Sequence, residues 1–304
     1  GTGWAPITDG QPSLAAASLA IDPGAPETIY LGTGSADLYA GYYGAGLLKS
    51  TDGGKSWSRP AGDLFAGLSI SRVVVDPGEG ALYVATEFGS AGFGDYCTGI
   101  DAKAPGQGLY RSSDGGKTFT QLYEGTIIDL EVDQSVSPRR ILIHPWGQAV
   151  RFSADGGAHW ASAGGLPMEA QRVELSLSPS QPAIVYAGVD MGDHGVLYLS
   201  SDHGETFAEV PGSPDYCSAQ CYYDNVVAVA PDDADTVYLG GSLCAIWKVQ
   251  GAVSGTPVVT AVSMPGGKCA EGFANWPNGY VHADAHAIAF DPTSAKTLYA
   301  GTDG

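Results

Sequence analysis

The sequence predicts an all-β protein, a β-propeller of four-stranded antiparallel blades. Three observations predict it. Glycine and proline are abundant (44 and 19 of 304 residues) while only 15% of the chain is charged, a composition that favours short strands and tight turns over long helices. Two motifs alternate along almost the whole chain. No apolar stripe of helical period and length competes with them.

The first motif is "AIDPGAPETIYLGTG" (20–34), which returns as "VVDPGEGALYVATE" (74–87), "SLSPSQPAIVYAGVD" (176–190), "AVAPDDADTVYLGG" (228–241) and "AFDPTSAKTLYAGTD" (289–303). Each copy is an apolar run, an X-Pro turn, and a second apolar run carrying a tyrosine: Tyr30, Tyr83, Tyr186, Tyr238 or Tyr299. Proline lacks an N–H, so it marks the turn and not the strands. Residues 127–143 fill the gap in the series as a degenerate copy. The second motif is "KSTDGGKSW" (49–57), repeated as "RSSDGGKTF" (111–119), "FSADGGAHW" (152–160) and "LSSDHGETF" (199–207). Third strands are predicted at "GAGLLKS", "QGLYRSS" and "GVLYLSS", just before three of the boxes, and a fourth strand begins at each closing aromatic. Four short strands per ~40–50 residues is the repeat of a propeller blade.

On these motifs the chain resembles the Asp-box (BNR-repeat) β-propellers, the superfamily of sialidases, xyloglucanase-type glycoside hydrolases and the sortilin-type receptor domain. The likeness covers nearly the whole chain. It is specific for fold and weak for function, because one fold hosts unrelated activities. The reading is of one propeller domain over 1–304, with blades starting near 14, 67, 127, 172, 224 and 285. Residues 1–10 are expected to serve as a closing strand. Five blades and half of a sixth are visible in the repeats, so the chain is expected to be a piece of a longer protein with roughly six to eight blades.

The boxes are expected to be turn staples. Ser50, Asp52, Gly54 and Trp57 are matched by Ser112, Asp114, Gly116 and Phe119, by Ser153, Asp155, Gly157 and Trp160, and by Ser200, Asp202, Gly204 and Phe207. Serine and aspartate accept bonds from turn N–H groups, glycine permits positive φ, and the aromatic packs between blades. Turns alternate between the two ends of an up-and-down blade, so the long insertions fall at the end opposite the boxes. These are 35–46, 88–107, 211–224 and 264–284. They carry the candidate ligand-binding aromatics Tyr42, Tyr43, Tyr96, Tyr222, Tyr223, Trp276 and Tyr280, since function collects on loops held by a rigid scaffold.

"YVHADAHAIAFDP" opens the sixth repeat. If it is a strand, alternation puts His282, Asp284 and His286 on one face, where they could hold a divalent cation or act as an acid–base pair. The competing reading is hydrogen bonding to neighbouring loops. No other cofactor is required by the sequence. The weak catalytic candidates are Asp37, Asp284 and His286. A sialidase needs an arginine cluster, and only Arg72 and Arg172 fall on inner strands. A xyloglucanase-type enzyme needs two carboxylates across a cleft, and the sequence does not pair its acids.

The cysteines Cys97, Cys217, Cys221, Cys244 and Cys269 lack zinc spacing. Disulfides are expected, with one thiol left over, in a secreted, periplasmic or cell-surface protein. A net charge of −19 excludes non-specific nucleic-acid binding, and no apolar run approaches the ~20 residues of a membrane span. The expected role is therefore recognition or scaffolding: the loop-rich face binds a glycan or protein partner or docks in a surface or filament assembly. The alternative is a xyloglucanase-like glycoside hydrolase.

Overall fold

A computed structural model describes residues 5–35, 44–88, 106–168, 170–244, 246–263 and 281–303. Apart from a single 3-10 turn, every regular element among them is a strand. The strands form successive antiparallel sheets of chain neighbours, as the repeats predict.

The chain divides into two compact units, residues 1–130 and 131–304. The first holds a three-stranded sheet of β1 (Ala16–Ile21), β2 (Ile29–Thr33) and β3 (Leu47–Ser50). Next comes a four-stranded sheet of β4 (Leu68–Asp76), β5 (Ala81–Phe88), β6 (Gly108–Ser112) and β7 (Thr120–Glu124). Tyr30, Leu47, Phe65, Ile70, Val84 and Tyr110 are buried together between these two sheets. Residues 5–10 form bends and a turn, not a strand. They lie on the first box, where Trp57 Nε1 donates to the Ile7 carbonyl at 2.9 Å.

The boundary between the units falls within β8 (Ile127–Asp133), which is paired in one sheet with β9 (Arg140–Pro145), β10 (Arg151–Ser153) and β11 (Ala161–Ser162). Two more four-stranded sheets follow: β12 (Val173–Leu177), β13 (Val185–Asp190), β14 (Gly195–Ser200) and β15 (Ala208–Glu209), then β16 (Val226–Ala230), β17 (Asp233–Gly240), β18 (Ile246–Gln250) and β19 (Val258–Ala261). The hairpin β20 (Ala285–Asp291) and β21 (Ser294–Thr302) comes last. Within the second unit β12 and β13 pack on β16, and β16 and β17 on β20. The motif tyrosine helps to join sheets: buried Tyr186 donates to the carbonyl of Ala234, at the start of β17 in the next sheet, at 2.9 Å.

The boxes show why the nonamer recurs. In the first, Gly54 N–H donates to Ser50 Oγ (2.8 Å), which donates to Asp52 Oδ1 (2.7 Å). Ser56 N–H and Oγ donate to the two oxygens of Asp52 at 2.9 and 2.6 Å. Gly53 and Gly54 have φ of +71° and +85°, where a side chain is costly. The same pattern recurs around Asp114, Asp155 and Asp202, with the His159 ring in place of the hydroxyl at Asp155. The bond from the Ser56 hydroxyl, followed by those from Ser56 N–H and Ser50, holds Asp52 at a pKa of about 2. Asp114 and Asp155 lie lower still, chiefly through bonds from Thr118 and His159. Because these pKa values are depressed, the stability they add is present above the ordinary carboxylate pKa and is lost as pH falls through the folded values. Asp52→Ala is expected to lower the melting temperature, and Asp52→Asn, which keeps one acceptor oxygen, to lower it less; calorimetry on the two variants checks this.

Candidate functional site

The second unit gathers an unusual set of buried polar groups beneath the loop that joins β15 to β16. The loop is closed on itself by a Cys217–Cys221 disulfide around the 3-10 turn Ser218–Gln220. Both cysteines and Tyr216 are fully buried, and they join the apolar core between the β12–β15 and β16–β19 sheets. Tyr216 OH donates to Asn225 Oδ1 (2.7 Å), and Asn225 Nδ2 donates to the Gly188 carbonyl (3.0 Å). Two glycines make room for this seat. A Cβ on Gly195 would lie 2.5 Å from Cys217 Sγ, and one on Gly241 would lie 2.5 Å from the Tyr216 carbonyl oxygen.

Arg172 clamps the end of the loop. Its Nη1 donates to the carbonyls of Tyr222 (2.9 Å) and Tyr223 (3.1 Å). Nε and Nη2 both donate to Glu174 Oε1, at 2.9 and 2.7 Å. Both side chains are buried. Arg72 pairs with buried Asp129 at 2.5 Å. Each inner-strand arginine is thus committed to an internal carboxylate. Below the clamp, on β9, His144 is buried with no hydrogen-bond partner at either ring nitrogen, and burial pulls its pKa down to about 4.

The loop ends at Asp224, which is fully buried with neither carboxylate oxygen bonded. Burial raises its pKa to about 9, and Asp284 beside it adds to the rise. Asp284 belongs to a second cluster. Its Oδ2 is 3.9 Å from His282 Nδ1, which is 3.4 Å from Asp303 Oδ1. His286 Nε2 is 3.9 Å from Asp303 Oδ2, and Tyr223 OH donates to that same oxygen at 2.9 Å. The Tyr223 and His286 rings meet edge to face, 4.5 Å between centroids. His282 Nδ1 also lies 2.6 Å from the Ala283 carbonyl.

Alternation does not explain how these residues meet. Strand β20 starts only at Ala285, Asp284 has φ +62°, and a register shift between Ala285 and Ala287 takes His286 out of the pleat. The N–H groups of Asp284 and Ala285 both donate to the Gly241 carbonyl, which fixes the bend. Asp303, which the sequence reading did not single out, is brought in by the hairpin: Ala285 pairs with Thr302, so the next residue on each side lies at the same end. Of the other candidates, Tyr222 and Tyr223 are half-buried. Cys244 is disulfide-bonded. Asp37, Tyr42, Tyr43, Tyr96, Cys97, Cys269, Trp276 and Tyr280 lie outside the described residues.

Comparison with known proteins follows the same lines. The BNR/Asp-box repeat family model matches residues 48–59. An ancestral GH74 enzyme superposes on 92% of this chain with a TM-score of 0.61 and 16% identity. The GH74 xyloglucanase from Xanthomonas campestris superposes on 76% of it with a TM-score of 0.51 and 18% identity. The chain spans 36% of the length of each of these two enzymes. No curated protein sequence matches it with significance. At such identities the likeness is one of fold.

Proposed function

We propose that this Asp-box β-propeller is a recognition module of an oxidising compartment, outside the cytoplasm, that binds a glycan through the loop ending at Asp224. The observation that carries the reading is the Arg172 clamp on the carbonyls of Tyr222 and Tyr223. Together with the disulfide and buried Tyr216, it supports two half-buried tyrosines on a backbone fixed before any ligand arrives. Preorganised aromatics spend little ordering entropy on binding, and their faces suit sugar rings. The charge of −19 favours a neutral or basic polysaccharide over an anionic one.

The fold shared with GH74 enzymes favours hydrolysis as the second reading. Against it, of the three acids brought together here, Asp224 and Asp284 lie against each other, and Asp284 and Asp303 present carboxylate oxygens within 4.8 Å, whereas glycosidases hold their carboxyls about 5–9.5 Å apart with room for water or sugar. The test is affinity electrophoresis in xyloglucan, chitosan and anionic alginate, with reducing-end release measured in parallel. Retardation by xyloglucan or chitosan is expected, weakened roughly tenfold or more by Tyr222→Ala, as loss of an aromatic anchor does. Release of reducing ends would replace this reading with the hydrolase. Failure of every polysaccharide to retard the protein would overturn the glycan reading and leave docking to a protein partner.

A further inference from the structure

We propose that His282, Asp284 and Asp303 form a binding site for a divalent transition-metal cation, with the buried Asp224 carboxylate behind Asp284. The proposal is independent of what the neighbouring loop binds. One ligand atom from each of the three residues lies within 4.8 Å of the others. A cation about 2.1 Å from each of two tetrahedral ligands holds them about 3.4 Å apart. That is the separation found between His282 Nδ1 and Asp303 Oδ1, 3.4 Å, and Asp284 Oδ2 is 3.9 Å from the same nitrogen.

Such a cluster on a surface is common without an ion. A second observation points to a ligand here. Asp224 is fully buried, faces Asp284, and has no hydrogen bond to either oxygen. A buried polar group without hydrogen bonds is costly, and its place directly behind Asp284 sets this cluster apart from an ordinary surface group of acids. The surroundings also suit a metal shell. Tyr223 OH donates to Asp303 Oδ2, the outer-shell bond that orients a ligating carboxylate. His286 Nε2, 3.9 Å from Asp303, stands beside the shell. Coordination by His282 Nδ1 would exchange its contact with the Ala283 carbonyl for the metal.

The donor set selects the cation. An imidazole with carboxylates suits zinc or manganese better than calcium, which takes six to eight oxygens. The experiment is isothermal titration of the chelator-stripped protein with zinc, manganese and calcium chlorides, with bound metal counted by elemental mass spectrometry. One equivalent of zinc or manganese is expected. Affinity should fall roughly tenfold or more in His282→Ala and in Asp303→Asn, both at exposed positions where the fold is not at stake. His159→Ala, which removes the exposed pair with Asp155 in another box, should bind as the parent does. Absence of a bound equivalent, a stoichiometry that survives both substitutions, or tighter binding of calcium than of zinc and manganese would overturn the assignment.

Discussion

Replacing Arg172 with methionine is expected to cost about 3–5 kcal/mol of folding stability, because it leaves Glu174 as a buried charge without its partner. Both side chains are almost wholly removed from solvent, at 9% and 3% exposure. The guanidinium fills two roles at once: Nε and Nη2 serve Glu174 Oε1, while Nη1 serves two backbone carbonyls. Arg172→Lys should therefore fall between the parent and the methionine variant, since one ammonium cannot reproduce that fork. The double variant Arg172→Met/Glu174→Met removes both charges. It should recover most of the loss, as apolar replacement of a buried pair often does. Urea unfolding of the four proteins closes the cycle. The double variant still lacks the carbonyl clamp, so it should remain weak in glycan binding after stability has returned. Full recovery of binding would show that the clamp does not set the loop.

The difference between these two readouts reflects what was legible in the sequence. The blade grammar was legible because it is local. Proline and glycine mark the turns, period-2 runs mark the strands, and the segments "GAGLLKS", "QGLYRSS" and "GVLYLSS" end in β3, β6 and β14. The box bonds were legible because every donor and acceptor lies within a few residues of Asp52. The site was legible only in part, because it is made by long-range contacts. "HADAH" was visible as a cluster, but strand alternation was the wrong rule for it: the Gly241 carbonyl bends the chain at Asp284, and the register shift turns His286. The signal that finds Asp303 is the hairpin itself. A Pro turn at 291–292 folds "GTD" back on "HAD", and the pairing of Ala285 with Thr302 follows. Nothing near Asp224 in the sequence announces its burial, which depends on how the disulfide and Tyr216 seat the loop. The role of Arg172 was hidden for the same reason, since its partners at Tyr222 and Tyr223 are fifty residues away.

A fall in stability of about 3 kcal/mol is expected as pH drops from about 6.5 to 4 through His144 alone. The ring is buried, and both nitrogens lack hydrogen bonds. Burial lowers its pKa from 6.5 to about 4; the Gln171 backbone and Glu174 oppose the shift, and Arg172 adds to it. Between those two pH values the unfolded chain binds a proton at His144 and the folded chain does not. Stability therefore rises with pH across the window and is lost on acidification. Asp224 acts with the opposite sign: its raised pKa means that the folded chain is the one holding a proton, so its contribution grows as pH falls. The raw profile sums these two with the other shifted carboxyls, Asp190 and the box aspartates among them. The difference between the parent and His144→Leu isolates the histidine: the variant should lose the fall assigned to it and equal or exceed the parent's stability at pH 4. The box aspartates, which begin to lose their stabilisation as pH nears the ordinary carboxylate pKa, are common to both proteins and cancel in this difference. Identical profiles for parent and variant would mean that the imidazole gains a proton inside the fold. In that case Glu174, rather than solvent, would be stabilising the charge, and the Arg172 cycle would show a correspondingly smaller loss at pH 5 than at pH 7.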